Sequence, residues 1–116
     1  MLDRTITILT SSRETLDGVE QYLRRAGARA SGASRPEDIA RANGRIDAVL
    51  FFADDYPRPE AKRAFDSLQR DSAIAVLVVI TESVDEFRAA RRTDPRVVEL
   101  RRPAWGWMLV DAIRGE

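Results

Sequence analysis

The sequence contains no cysteine and no histidine. Without cysteine there is no disulfide framework, no thiolate nucleophile and no cysteine-built zinc site. Without histidine the usual general base and the commonest metal ligand are gone, and with them every Ser-His or Cys-His mechanism. Lysine is almost missing as well: Lys62 is the one lysine among 19 basic residues, a trait of GC-rich coding with no mechanistic meaning. No apolar run approaches the roughly 20 residues that cross a bilayer. The opening Met1-Leu2-Asp3-Arg4 does not have the pattern of a signal peptide. A dominant charge sign is also lacking, since 19 basic side chains face 19 acidic ones. That balance counts against bulk nucleic-acid binding, which needs a basic footprint. The expectation is a cytoplasmic protein with no cofactor, no metal, no membrane contact and no direct nucleic-acid contact.

What is present is the profile of a soluble globular chain, 44% hydrophobic and 33% charged. Its 116 residues fit one domain, 1–116, since single domains most often run about 100–150 residues. Strand-like and helix-like segments alternate without linker or repeat. Residues 5–10 (TITILT) are β-branched and apolar, a good buried strand. Ser11 stands three residues before Glu14, a capping-box spacing that starts a helix. Leu16, Val19, Tyr22, Leu23 and Ala26 then share a helical face, and Gly27 ends it. Residues 28–33 read as a weak strand. Ser34 with Glu37 repeats the capping spacing, with Pro36 in the first turn of a short helix to Asn43-Gly44.

Residues 46–53 (IDAVLFFA) form a second strong strand, broken by Asp54-Asp55-Tyr56-Pro57. A helix over 59–70 follows, with Ala61, Ala64, Phe65 and Leu68 inward. Residues 73–81 are the most apolar run, and their β-branched content favours a strand. Ser83 and Glu86 cap a helix carrying Val84 and Phe87 to about Arg92; 97–101 is a short strand stopped by Pro103; a last helix over about 104–114 buries Leu109 and Ile113. Continuous apolar strands separated by helices imply a parallel sheet covered on both faces. The expected fold is α/β, a flavodoxin-like (βα)5 three-layer sandwich with five parallel strands in the order 2-1-3-4-5. Ligands of such folds sit at the carboxyl ends of the strands. That directs attention to Thr10–Ser12, Phe52–Asp55, Thr81–Ser83 and Arg102-Pro103.

Over essentially its whole length this layout resembles the receiver domain of two-component response regulators. The best local match is Arg102-Pro103, with Leu109 and Ile113 six and ten residues after the proline; receivers carry Lys-Pro there. Asp47-Ala-Val-Leu-Phe-Phe resembles the receiver's third strand, Pro57 the proline in the loop after it, and Thr81 the hydroxyl residue closing strand 4. The resemblance implies a phosphorylation site at the strand ends, and there the residues depart from it. The acid pair that helps hold Mg²⁺, a hard cation that prefers carboxylate oxygens, corresponds to Thr10 and Ser11. The phosphoacceptor position falls on Phe52 when counted from Asp47, or on Ala53 when counted from Pro57. Arg102 keeps the charge of the receiver lysine but not its point-like ammonium. Glu99 stands at the position of the aromatic switch residue, unless it is simply solvent-exposed and ion-paired.

Asp54 and Asp55 have two readings: a displaced, fallback phosphoacceptor, with Asp54 the better placed, or solvated turn residues. Arg102 either pairs with Asp54 or Asp55, giving a permanent ion pair that locks one conformation, or is solvated. The run from Thr10 to Thr15 could cradle a phosphate at a helix N-terminus, as flavodoxins do for a flavin phosphate; a plain helix cap is the other reading. Trp105 shares the core face of Leu109, whereas Trp107 beside Val110 reads either as an interface anchor or as a ring lying over its own surface. Receivers commonly dock through the face of their fourth helix, fifth strand and fifth helix. Here that face offers Arg88, Arg91, Arg92, Arg101, Trp107 and Val110. The function expected is a phosphorylation-independent pseudo-receiver: no enzyme, but a signalling module for a protein partner, a homodimer included. The alternatives are a receiver still phosphorylated on Asp54 and a flavodoxin-like phosphate or flavin binder.

Overall fold

The computed structural model describes residues 4–39, 45–83, 87, 93–104 and 106–114. Five strands form one sheet: β1 (Thr5–Leu9), β2 (Arg29–Ala33), β3 (Ile46–Phe52), β4 (Ile74–Thr81) and β5 (Val97–Arg101). All neighbours run parallel and the order is β2-β1-β3-β4-β5, as expected. The helices are α1 (Arg13–Arg25), α2 (Arg58–Arg70) and α3 (Gly106–Arg114). The central strands are buried on both faces because helices cover both. Ile6, Ile8, Leu50, Val78 and Ile80 pack with Leu23 of α1 and Leu109 and Ile113 of α3. Val49, Phe51, Leu77 and Val79 pack with Ala61, Phe65 and Leu68 of α2.

Local chemistry fixes each boundary. Gly27 closes α1 at φ 96°, a left-handed conformation that suits glycine. Asp47 accepts the N–H of Thr5 at 2.8 Å, so a β3 side chain satisfies an amide at the start of β1. Pro59 occupies the first turn of α2, where a missing N–H costs nothing. Phe87 is buried and its ring lies 4.8 Å from that of Phe65.

Three boundaries differ from the sequence reading. Ser12, not Ser11, caps α1; its Oγ accepts the Thr15 N–H at 3.3 Å. Ser11 is drawn elsewhere, donating its hydroxyl to the Asp55 carbonyl at 2.7 Å. Of the helix expected after Ser34, the described residues Pro36–Asp38 form a 3₁₀ turn without a side-chain cap. Ile39 is extended and buried, which ends the turn at once. Ala53 leaves the strand and opens a second 3₁₀ turn, Ala53–Asp55. The last helix is described over Gly106–Arg114; Trp105 lies outside the described residues, as do 40–44 of the helix expected after Ser34 and 84–86 and 88–92 of the helix expected after Ser83.

Arg96 ties β5 to the turn between α2 and β4. Its guanidinium donates to the carbonyls of Gln69 (2.6 Å), Asp71 and Ile74 (both 3.0 Å) and to the Asp94 carboxylate (2.8 Å). The Arg96 hydrogen bond holds the Asp94 carboxyl below the usual carboxylate range. A depressed acid contributes stability above its unfolded pKa, lost as pH falls through the folded one. Removing a charged donor from several acceptors costs about 2–3 kcal/mol. Arg96→Met should therefore lower the urea-unfolding free energy by that amount at pH 7. Its stability should also fall less steeply than the wild type's below about pH 4; parallel acid limbs would contradict this pairing.

Candidate functional site

The carboxyl ends of β1, β3, β4 and β5 converge on two adjacent aspartates in the 3₁₀ turn after β3. Asp54 points toward β4. Its Oδ1 accepts the Thr81 hydroxyl at 2.6 Å and its Oδ2 accepts the Glu82 N–H at 2.8 Å. Arg102, just past β5, places Nη1 3.7 Å from the same Oδ2. Thr81 is 1% exposed, so its hydroxyl needs partners: it donates to Asp54 and accepts the Ser83 N–H at 3.0 Å. The ion pair is the weaker contact. Its side chains are 45% and 26% exposed, and such pairs contribute about 0–1 kcal/mol. Hydrogen bonds to a charged acceptor contribute about 1.5–3 kcal/mol.

Asp55 points the other way, toward β1. Its carboxylate accepts the hydroxyl of Thr10, which in turn accepts the Ser12 N–H at 3.0 Å. Ser11 donates to the Asp55 carbonyl, so both hydroxyls after β1 are committed to the turn after β3. Tyr56 extends the arrangement to the end of β2, donating its hydroxyl to the Ser34 carbonyl at 2.8 Å. Burial, then the Asp55 and Glu60 carboxylates, push the Tyr56 phenol up to about 12, so it stays a donor.

The sequence singled out most of these positions. Thr10, Ser11, Thr81, Asp54, Asp55 and Arg102 do come together, and Arg102 pairs with Asp54 rather than Asp55. Phe52 is half-buried, and Ala53 is 4% exposed; neither side chain bears an oxygen. Glu99 is half-buried on the sheet face of Val97, not a freely exposed residue. Arg101 and Trp107 are exposed, the latter by 60%. Val110 is a correction: it is 9% exposed and packs with Leu109 and Ile113 against the sheet, not beside Trp107 on the surface. On so short a helix three residues past Trp107 already reaches the flank of the buried stripe. Arg88, Arg91 and Arg92 lie outside the described residues.

Two contacts escaped the sequence reading, the Glu82 N–H on Asp54 and the Tyr56 tether. The first is a backbone donor and has no residue signature. The second could have been sought from a tyrosine directly after a strand-end turn. The phosphate cradle at 10–15 is filled by local bonds, since Thr15 N–H is taken by Ser12 Oγ and Ser12 N–H by Thr10.

The architecture has counterparts among solved structures. A sensor protein from Polaromonas sp. aligns with a TM-score of 0.73 at 18% identity, over 97% of this chain and 94% of its own. A response regulator receiver domain protein from Clostridium thermocellum gives 0.74 at 19%, covering 97% and 92%. A response regulator receiver protein from Sinorhizobium medicae gives 0.72 at 18%, covering 98% and 94%.

The fold is that of a response-regulator receiver domain.

No family model matches the chain, and no curated protein does. The receiver fold implies a Mg²⁺ ion at this end of the sheet, and the residues present do not fit one. The positions after β1 are hydroxyls, both engaged with Asp55. Among the described residues no three His, Cys, Asp or Glu side chains are grouped to hold a metal ion. A hard divalent cation needs several oxygen ligands, carboxylates foremost.

If Asp54 holds β4 mainly through hydrogen bonds, charge matters less than shape. Asp54→Ala should lower unfolding free energy by about 1–3 kcal/mol. Asp54→Asn, which can still accept from Glu82 and donate to Thr81, should recover more than half of that. Arg102→Ala should cost less than about 1 kcal/mol. Chemical denaturation of the three variants checks the order; a loss in Arg102→Ala as large as in Asp54→Ala would reverse it.

Proposed function

We propose that residues 1–116 form one pseudo-receiver domain, a cytoplasmic signalling module that binds a protein partner without being switched by phosphorylation. It has no catalytic role of its own. The observation that carries this reading is the state of the Asp54 carboxylate. One oxygen accepts the Thr81 hydroxyl; the other accepts the Glu82 amide and faces Arg102. A strand-end hydroxyl, the next amide and a cation are the donors expected to receive a transferred phosphoryl group in a receiver-like site. Here an internal carboxylate already satisfies them.

The positions aligned with the phosphoacceptor, Phe52 and Ala53, cannot form an acyl phosphate. Asp54 could do so only by giving up the hydrogen bond at whichever oxygen is phosphorylated, from Thr81 at Oδ1 or from Glu82 at Oδ2. Asp55 would have to release Thr10. With Thr10 and Ser11 in place of an acid pair, no metal offsets the charge of an incoming phosphoryl donor. The conformation is therefore held constantly, and signalling depends on whether the partner is present. Of the docking face expected in the sequence, Arg101 and Trp107 are exposed side chains available to that partner.

Amide chemical shifts followed during titration with Mg²⁺ and then beryllofluoride, an acyl-phosphate mimic, test this function. The expected result is no saturable change at Thr10, Ala53, Asp54, Asp55, Thr81 or Arg102. Saturable shifts that spread from those residues to α3 would mean that an aspartate still accepts a phosphoryl group, and the proposal would fail.

A further inference from the structure

Tyr22 and Trp107 are the two large hydrophobic side chains exposed among the described residues, by 43% and 60%. They lie far apart in sequence, yet Tyr22 reaches the residue that precedes Trp107. The Tyr22 ring rests on Gly106, so closely that a Cβ there would come within 2.6 Å of the ring. Trp107 is the next residue of α3. Glycine at 106 is thus what lets α1 lay an aromatic across the start of α3. The seam between α1 and α3 opens into a groove of about 360 Å³ bordered by Glu14, Gly18, Tyr22 and Pro103.

The outer surface of α1 carries a second pattern. Glu14, Gly18, Gln21, Tyr22 and Arg25 are all exposed and recur at the three- and four-residue steps of one helical stripe. The stripe is acidic at its start, notched at Gly18, aromatic after the notch and basic at its end. At Gly18 an added Cβ would meet no atom within 4 Å, so the notch faces open space. The ion pairs within α1 join Arg13 to Asp17 and Glu20 to Arg24, and engage neither Glu14 nor Arg25.

Such a stripe is complementary to itself when reversed. A two-fold axis between Val19 and Glu20 sets Glu14 opposite Arg25 and Gly18 opposite Gln21, with Tyr22 one residue from the notch, twice each. This is the reciprocal matching of an isologous interface. We propose that the chain pairs with a second copy of itself through antiparallel α1 helices, each Tyr22 seated in the partner copy's Gly18 notch and Trp107 at the rim. The proposal rests on the reading of the chain as an interaction module and names its partner.

Sedimentation equilibrium over a concentration series tests it, with circular dichroism confirming that each variant is folded. The wild type should dimerise reversibly. Glu14→Arg and Arg25→Glu should each weaken association by about tenfold or more, because like charges then face each other. The double reversal should restore it, since the pairs re-form with signs exchanged. Gly18→Leu has room in the monomer and raises helix propensity, so it should stabilise the fold while abolishing the dimer. A wild type that stays monomeric would overturn the proposal, as would a double reversal no better than the single changes or an unimpaired Gly18→Leu dimer. A monomer that still binds a different protein would remove the self-association and leave the interaction-module reading standing.

Discussion

The carboxylate of Asp54 is the constraint on which the carboxyl end of this sheet depends. It stands one residue beyond the buried Ala53, at the exit of the central strand β3, and bonds the last hydroxyl and the next amide of β4. The same oxygen faces Arg102 beyond β5. A loop that leaves three parallel strands in close succession exposes several backbone and hydroxyl donors at once. One anion collects them.

Asp55 completes the arrangement by facing the opposite neighbour. The two aspartates divide the sheet end between them, Asp54 serving β4 and β5, Asp55 serving β1 through Thr10. Tyr56 carries the tie to the end of β2 through the Ser34 carbonyl. Asp54 and Asp55 of the 3₁₀ turn, with Tyr56 directly after it, thus reach the ends of every other strand. The hydrogen bonds at Asp54 are stronger than the half-exposed ion pair that the sequence first suggested. Thr81 and Glu82 hold the carboxylate, and Arg102 adds charge complementarity.

The sheet was legible because its strands are continuous apolar runs, and Ala61, Ala64, Phe65 and Leu68 marked the inner face of α2. Proximity of the site residues followed from topology, since Thr10, Asp54, Thr81 and Arg102 all follow strand ends. What was not legible was decided by tertiary partners. Ser11 and Ser12 are equivalent as caps on paper, and only the Asp55 carbonyl separates their roles. Ser34 and Glu37 spell a capping box, but the 3₁₀ turn Pro36–Asp38 has no side-chain cap and Ile39 is extended. Val110 looked exposed from its spacing to Trp107, yet the packing of α3 takes it inward. The Glu82 amide carries no side-chain signature at all.

The central claim is that the Asp54 carboxylate is a permanent acceptor at the end of β4. The most direct measurement is the scalar coupling across a hydrogen bond, from the Glu82 amide nitrogen to the Asp54 carboxyl carbon. The account predicts a resolved coupling in the free protein that persists unchanged when Mg²⁺ and beryllofluoride are added. An absent coupling, or one that vanishes on that addition, would contradict it and return Asp54 to the role of an acceptor waiting for a phosphoryl group.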